Sequence, residues 1–163
     1  MYIKVRPAEQ GDAAWIRALL ERSWGSTEMI VLGRVRHTDA LPALVAEIDG
    51  MGVGLLTYEV SGDALEVVSL DARERRRGIG TALIDAVREL AEIRRCRRVW
   101  LITTNDNLDA LRFYQRRGFR LASLHPGAVR AARRLKPSIP EVGEYGIPLR
   151  DEIELELVEA KTR

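Results

Sequence analysis

Between Leu65 and Thr103 the hydrophobic period changes twice, and this constrains the fold more than any other feature of the chain. Leu65 to Leu70 reads as a strand. From Gly78 to roughly Ile93, the apolar residues Ile79, Leu83, Ala86, Val87 and Leu90 line one helical stripe. Arg98 to Thr103 is β-rich and apolar, as a buried strand should be. Strand, long helix, strand is a crossover unit, which predicts that residues 65–70 and 98–103 run parallel in one sheet.

The flanking sequence supplies the other layers. Tyr2 to Arg6 alternates like a strand that Pro7 ends, and Asp12 is a candidate N-cap for a helix through Ala13 to Leu20. Residues 23–40 mix Gly25, Gly33, an apolar Met29 to Leu32 and His37, and carry no single period. Leu44–Ile48, the turn Asp49 to Gly52, and Val53–Val60 read as a hairpin, and Ser61-Gly62-Asp63 leads into Leu65, so the first half is an antiparallel meander. After the crossover come a helix from about Leu108 to Arg116 closed by Gly118, a strand Phe119–Leu124, a helix Gly127–Leu135, a loop Lys136–Pro148, and a strictly alternating last strand Glu152–Val158. The expectation is one α/β (α+β) domain over residues 1–163, with a mixed central sheet, a core in 1–124, a substrate-side helix and loop in 125–150, and a last strand in 151–159.

The sharpest motif lies at the strand–helix junction: Arg75-Arg76-Arg77-Gly78-Ile79-Gly80-Thr81. Glycines there let a ligand approach backbone N–H groups, the first turn of a helix presents unpaired N–H groups with partial positive charge, and arginines add charge for an anion. It is not a P-loop, because no Gly-Lys-Ser/Thr follows. Nor is it a dinucleotide fingerprint: Leu83 stands where the third glycine belongs, and Arg97 and Arg98 stand where an acidic residue is needed.

Arg75, Gly78 and Gly80 match the Arg/Gln-x-x-Gly-x-Gly/Ala signature of the acyl-CoA N-acyltransferases, and the chain resembles that GNAT superfamily. A second block, Asn107-x-x-Ala110-x-x-Phe113-Tyr114-x-x-x-Gly118-Phe119, is similar to another segment of the same family. Asn107, Ala110 and Tyr114 share one helix face by spacing. That block in isolation also reads as a core tyrosine with an N-capping Asn107. The resemblance covers most of residues 1–124.

It implies that coenzyme A, as acetyl-CoA, is the cofactor, its pyrophosphate held at Arg75, Arg76, Arg77, Gly78, Ile79, Gly80 and Thr81. It implies further that Val68-Ser69-Leu70 splays from its neighbour to pair with the pantetheine arm, with a main-chain N–H near Leu70 as oxyanion donor. Asn107, Ala110 and Tyr114 complete the cofactor side, and the Tyr114 hydroxyl hydrogen-bonds the departing sulfur. The expected reaction is acetyl transfer to an amine in a ternary complex. Glu66 is the first candidate base, because strict alternation groups it with apolar Ala64, Val68 and Leu70. Water, Glu59 and His125 are alternatives. In the 125–150 segment, Glu141, Glu144 and Tyr145 are candidates to receive an ammonium group, and Arg130, Arg133 and Arg134 to cap the cofactor or an acidic substrate.

Charge distribution bears on the rival readings. Residues 73–140 carry 17 basic against 6 acidic side chains, and the rest of the chain 9 against 18. The basic middle surrounds the expected cofactor site, although a coenzyme A needs only a few cations. A nucleic-acid-binding protein would also use those arginines, but no recognised motif accompanies them and aromatic residues are only 6%. A non-catalytic acetyl-CoA sensor or scaffold would share the cofactor motifs without a useful Tyr114. The two histidines and one cysteine form no metal-ligand pattern, and Cys96 lies among arginines that would lower its pKa if it were accessible. No apolar run is long enough to span a bilayer, Met1 to Pro7 reads as strand rather than signal peptide, and a single cysteine excludes an internal disulfide. A cytoplasmic protein, with a homodimer open, is the expectation.

Overall fold

The computed structural model describes residues 2–74 and 78–158. Their contacts gather into two compact units, one of the described residues within 2–29 and 37–99 and the other of residues 30–36 and 100–158.

The first unit is a meander dressed by two helices. Strands β1 (Lys4–Pro7), β4 (Ala43–Ile48), β5 (Met51–Ser61) and β6 (Ala64–Ala72) lie side by side in that order, each pair antiparallel. Asp49 and Gly50 make the β4–β5 connection with φ of 51° and 77°. A two-residue hairpin turn of this hand twists with the strands, and the left-handed region it needs favours Asp-Gly. Neighbouring residues of β5 point to opposite faces. On one face, helix α1 (Ala13–Trp24) packs Ile16, Leu19 and Leu20 against Ala43, Val45 and Leu55. On the other, helix α2 (Ile79–Ile93) buries Ile79, Leu83, Ile84, Val87 and Ala91, and Ile79 and Leu83 lie directly on Gly54. Each fully buried Leu or Ile of this set contributes roughly 1.5–3 kcal/mol relative to exposure. After α2, the Arg97 N–H donates to the Asp63 carbonyl at 2.6 Å, so β7 (Arg98–Thr104) begins beside the start of β6, as the crossover requires.

Two expectations are corrected here. Residues 23–40, left without a period, include a two-stranded ribbon, β2 (Glu28–Val31) and β3 (Arg34–His37), joined by Leu32-Gly33 with φ of 49° and 73°. Asp12 does not cap α1. A 3-10 turn over Gln10–Asp12 runs straight into α1, so Asp12 is already helical, and its carboxylate accepts the Glu9 N–H (2.7 Å) and the Arg6 guanidinium (2.7 and 2.9 Å). Arg6 also reaches Glu47 at 2.7 Å, tying β1 to β4 and to the start of α1. These bonds hold the Asp12 carboxyl down at about 2, from an ordinary 3.8. A lowered carboxylate stabilises the fold above its unfolded pKa, and this contribution is lost as pH falls from about 4 towards 2. Acid titration of thermal stability should therefore lose part of its slope in that window in Asp12→Asn, whose midpoint at pH 7 should be lower than the native one.

The second unit holds β7 from Trp100 onward, β9 (Glu152–Val158) and β8 (Arg120–His125), in that spatial order, with helices α3 (Leu108–Arg116) and α4 (Ala128–Leu135). β8 and β9 are antiparallel. Glu152, buried at the start of β9, accepts the Leu32 N–H at 3.1 Å, and burial pushes its carboxyl up. No helix among the described residues is long and apolar enough to cross a membrane.

Candidate active site

The first group of expected site residues lies on β6 and the start of α2. The β5–β6 register passes from Tyr58↔Val67 to Thr57↔Ser69, so Val68 has no partner on β5. Such a bulge leaves the extra residue out of the ladder and flips the alternation beyond it. Strict alternation had grouped Glu66 with Val68 and Leu70. The structure instead puts Glu66 and Ser69 on one face, and Leu70 opposite Leu56 on the other. This is a correction that only the register reveals. Glu66 is 6% exposed and stands directly across from Glu59, while the Ser69 and Thr57 hydroxyls share a hydrogen bond of 2.6 Å.

Next on that face comes Asp71, which sequence reasoning passed over. Burial pushes its carboxyl up, against the opposing pull of hydrogen bonds from the Trp24 indole N–H (2.9 Å) and the Ser23 side chain. Its signal in the sequence was only a lone carboxylate after an apolar run. Its partner Trp24 is 47 residues away at the end of α1, beyond the reach of local pattern.

Arg75, Arg76 and Arg77 lie outside the described residues. Gly78 immediately precedes α2, with φ of 78° and no side chain to cap the helix. The Ala82 N–H donates to the Gly78 carbonyl at 2.9 Å, so Ile79 and Gly80 stand in the first turn of α2, where helix N–H groups point along the axis. An α2 that starts on a side-chain-free, left-handed residue is a donor set suited to a phosphate. The residues present therefore fit the pyrophosphate of a coenzyme A.

The second group lies on α3. Asn107 caps the helix, its side-chain oxygen accepting the Ala110 N–H at 3.2 Å. Tyr114 is 8% exposed and sits edge-on to Phe113 (5.1 Å between centroids) and Phe119 (5.4 Å). Both the core tyrosine and the capping asparagine that this block suggested are thus real, and they hold the Asn107–Ala110–Tyr114 face in place. Arg117 stacks over the Phe113 ring at 3.7 Å and donates to its carbonyl.

Residues 136–151 are anchored to the same unit by polar contacts. The Asn105 side-chain oxygen accepts the Arg150 and Asp151 N–H groups (3.0 and 2.9 Å), and its amide donates to Pro148. Asp106, buried, accepts the Thr104 hydroxyl and the Glu144 N–H, and lies so close to Gly143 that a Cβ there would overlap it. The Tyr145 hydroxyl donates to Asp109 at 2.6 Å. Arg133 reaches the carbonyls of Ile139, Pro140 and Leu149 (2.8–3.1 Å) and stands 3.7 Å from Glu141. Arg133 therefore clamps the loop, which corrects its reading as a cap for cofactor or acidic substrate. His125, a secondary candidate base, is engaged with Glu154 at 3.2 Å. Cys96 is buried, and burial pushes its thiol up despite Arg94, so the arginines around it do not make it a reactive thiolate.

Comparison with known proteins bears on the family and the fold. The model of the acetyltransferase (GNAT) family matches residues 13–119. The uncharacterized protein YdhI of Bacillus subtilis is 46% identical over 133 residues, 81% of this chain and 83% of its own. Among solved structures, an IAA acetyltransferase from Bacillus cereus superposes with a TM-score of 0.76 at 22% identity, over 97% of this chain and all of that one. A Bacillus subtilis acetyltransferase in complex with CoA gives 0.71 at 16% identity, over 98% of this chain and all of that one. The fold is that of a single α/β domain on a mixed central sheet.

Proposed function

The chain belongs to the GNAT acetyltransferase family, and we propose that it is an N-acetyltransferase that moves an acetyl group from acetyl-CoA to an amine of a small molecule or protein. CoA or acetyl-CoA is the cosubstrate with which family members have been solved. The observation that carries the reading is the start of α2, uncapped on a left-handed Gly78 and preceded by the bulged strand β6.

When bound, acetyl-CoA supplies an activated acyl carbonyl and a thiolate leaving group. The N–H groups at the start of α2, with the arginines at 75–77, would hold its pyrophosphate. The main chain of Val68, Ser69 and Leu70 offers hydrogen bonds to its pantetheine arm, and an N–H near Leu70 donates to the carbonyl oxygen, where negative charge develops. The bulge supports this role, since it releases the backbone at Val68 from the β5 ladder.

An alkyl amine of pKa about 10.4 is neutral in only about one part in 10³ at pH 7, so a proton must leave before attack. Glu66 accepts that proton in this reading, supported by its burial on a face that also carries Ser69 and Asp71. The Tyr114 hydroxyl donates a hydrogen bond to the departing sulfur. With reference pKa values of about 10 for the phenol and 8.5 for the thiol, complete transfer is uphill and the hydrogen bond itself supplies the stabilisation.

Replacing Tyr114 by Phe removes only the hydroxyl and keeps the ring between Phe113 and Phe119. Thiol release from acetyl-CoA on an amine panel should fall by ~10²-fold in kcat, with acetyl-CoA affinity unchanged. Unchanged turnover would remove Tyr114 from the chemistry. Saturable acetyl-CoA binding by the native protein with no turnover on any amine would replace the transferase by a sensor or scaffold.

A further inference from the structure

We infer that Trp24 and Asp71 hold a second, unreacting cation of the acceptor, so that the preferred substrate is a primary amine with another positive group a few carbons away. This rests on the transferase reading above. Trp24 is the last residue of α1, and Gly25, left-handed at φ of 76°, ends the helix there, its N–H returning to the Glu21 carbonyl at 2.8 Å. The indole is 39% exposed, yet its N–H is fixed on the Asp71 carboxylate at 2.9 Å. The Ser23 side chain donates to the same carboxylate. A contact that only docked α1 on the sheet would not need a carboxylate. Ile16, Leu19 and Leu20 already dock it on Ala43, Val45 and Leu55, and drawing a carboxylate out of water works against folding. What the hydrogen bond secures is the orientation of an exposed aromatic ring.

Ring and carboxylate together specify the charge of the ligand. An indole face attracts a cation, and a hydrogen bond made in the ring plane leaves the faces out of it. A carboxylate has about four lone-pair positions, of which Trp24 and Ser23 engage two, so Asp71 can also accept from an ammonium beside the ring. Neither β5 nor β6 contributes a basic side chain, and Glu59 and Glu66 lie further along the same face. That composition favours a cation over an anion. Asp71 directly follows Leu70, the residue assigned to the acyl carbonyl, so the cation lies close to the reacting centre. The reacting nitrogen sheds its proton before attack and cannot keep a cation site occupied through the reaction. An ammonium or guanidinium elsewhere on the acceptor can. Because that group stays charged from ground state to transition state, its binding lowers KM rather than raising kcat.

The test compares 1,4-diaminobutane with butylamine, which share a carbon chain and differ in the second charge. Both are offered as acceptors to the native protein, Asp71→Asn, Trp24→Leu and Trp24→Phe, with thiol release from acetyl-CoA as readout. Asparagine keeps an oxygen for the indole N–H and removes only the charge. The native protein should prefer the diamine by ~10-fold or more in kcat/KM, through KM, and Asp71→Asn and Trp24→Leu should lose that preference. Trp24→Phe keeps a ring face without the N–H and should retain part of it. The native comparison needs no variant to fold: equal kcat/KM for the two amines overturns the inference, as does a preference that Asp71→Asn leaves intact. Should the native protein turn over neither amine, calorimetric titration with 1,4-diaminobutane decides. Binding that Asp71→Asn weakens ~10-fold upholds the cation site while the transferase reading falls, and binding no tighter than that of butylamine overturns the site as well.

Discussion

Gly80→Glu is expected to leave a folded protein that has lost acetyl-CoA. Gly80 lies in the first turn of α2, and its φ is not among the positive ones, so a side chain is compatible with its backbone. Glycine is a poor helix residue, and a carboxylate in the first turn is favourable to the helix dipole. The thermal midpoint should therefore hold or rise. The same carboxylate lies where the N–H groups at the start of α2 would receive a pyrophosphate. Like charges brought together in this way cost several kcal/mol, which corresponds to an affinity loss of ~100-fold or more. Calorimetric titration with acetyl-CoA, beside a melting curve, separates the two effects. Retained affinity would mean that the cofactor's phosphates are held elsewhere.

Gly54→Ala should have the opposite signature, losing stability and affinity together. A Cβ built on Gly54 would lie 2.5 Å from Ile79 Cγ2, 3.1 Å from Leu83 Cδ1 and 3.3 Å from the Ala46 Cβ. Ile79 is branched next to its backbone and fully buried, so it cannot swing aside, and α2 must move off β5. Overpacking of this kind costs roughly 1–3 kcal/mol. Because Ile79 is also the first residue of α2, the displacement passes directly into the turn proposed to hold the cofactor's phosphates. Pairing the change with Ile79→Ala, which removes the offending methyl, should give a double variant more stable than the sum of the two single effects. Simple additivity would show that the helix does not rest on Gly54.

Seen with the structure, the basic middle of the chain divides into several jobs. Arg133 is spent on loop carbonyls and Arg117 on the Phe113 ring and carbonyl. Arginines used in this way weaken the nucleic-acid alternative, since neither guanidinium is simply presented to solvent.

How much could be read in advance depended on how local each feature is. The meander strands, the crossover helix, α3, α4 and the last strand follow from runs of fifteen residues or fewer, whose period and end signals lie within the run. The glycine turn before α2 was legible for the same reason, as was the Asn107-to-Tyr114 block. The ribbon at Glu28–His37 was not, because four-residue strands offer too few repeats to set a period against the glycines around them. Asp12 looked like a cap until Arg6, on a strand, claimed its carboxylate.

The sequence by itself determined the order of elements outside the Glu28–His37 ribbon, the glycine start of α2 and the family, since spacing along the chain carries all three. Tertiary structure alone decided which side chains share a face. Val68 is an extra residue only relative to the strand beside it, so the company kept by Glu66 is a property of register between strands. The same holds for Asp71 under Trp24 and for Arg133 across its loop. Hydrogen bonds between distant segments form only when packing has already brought those segments together.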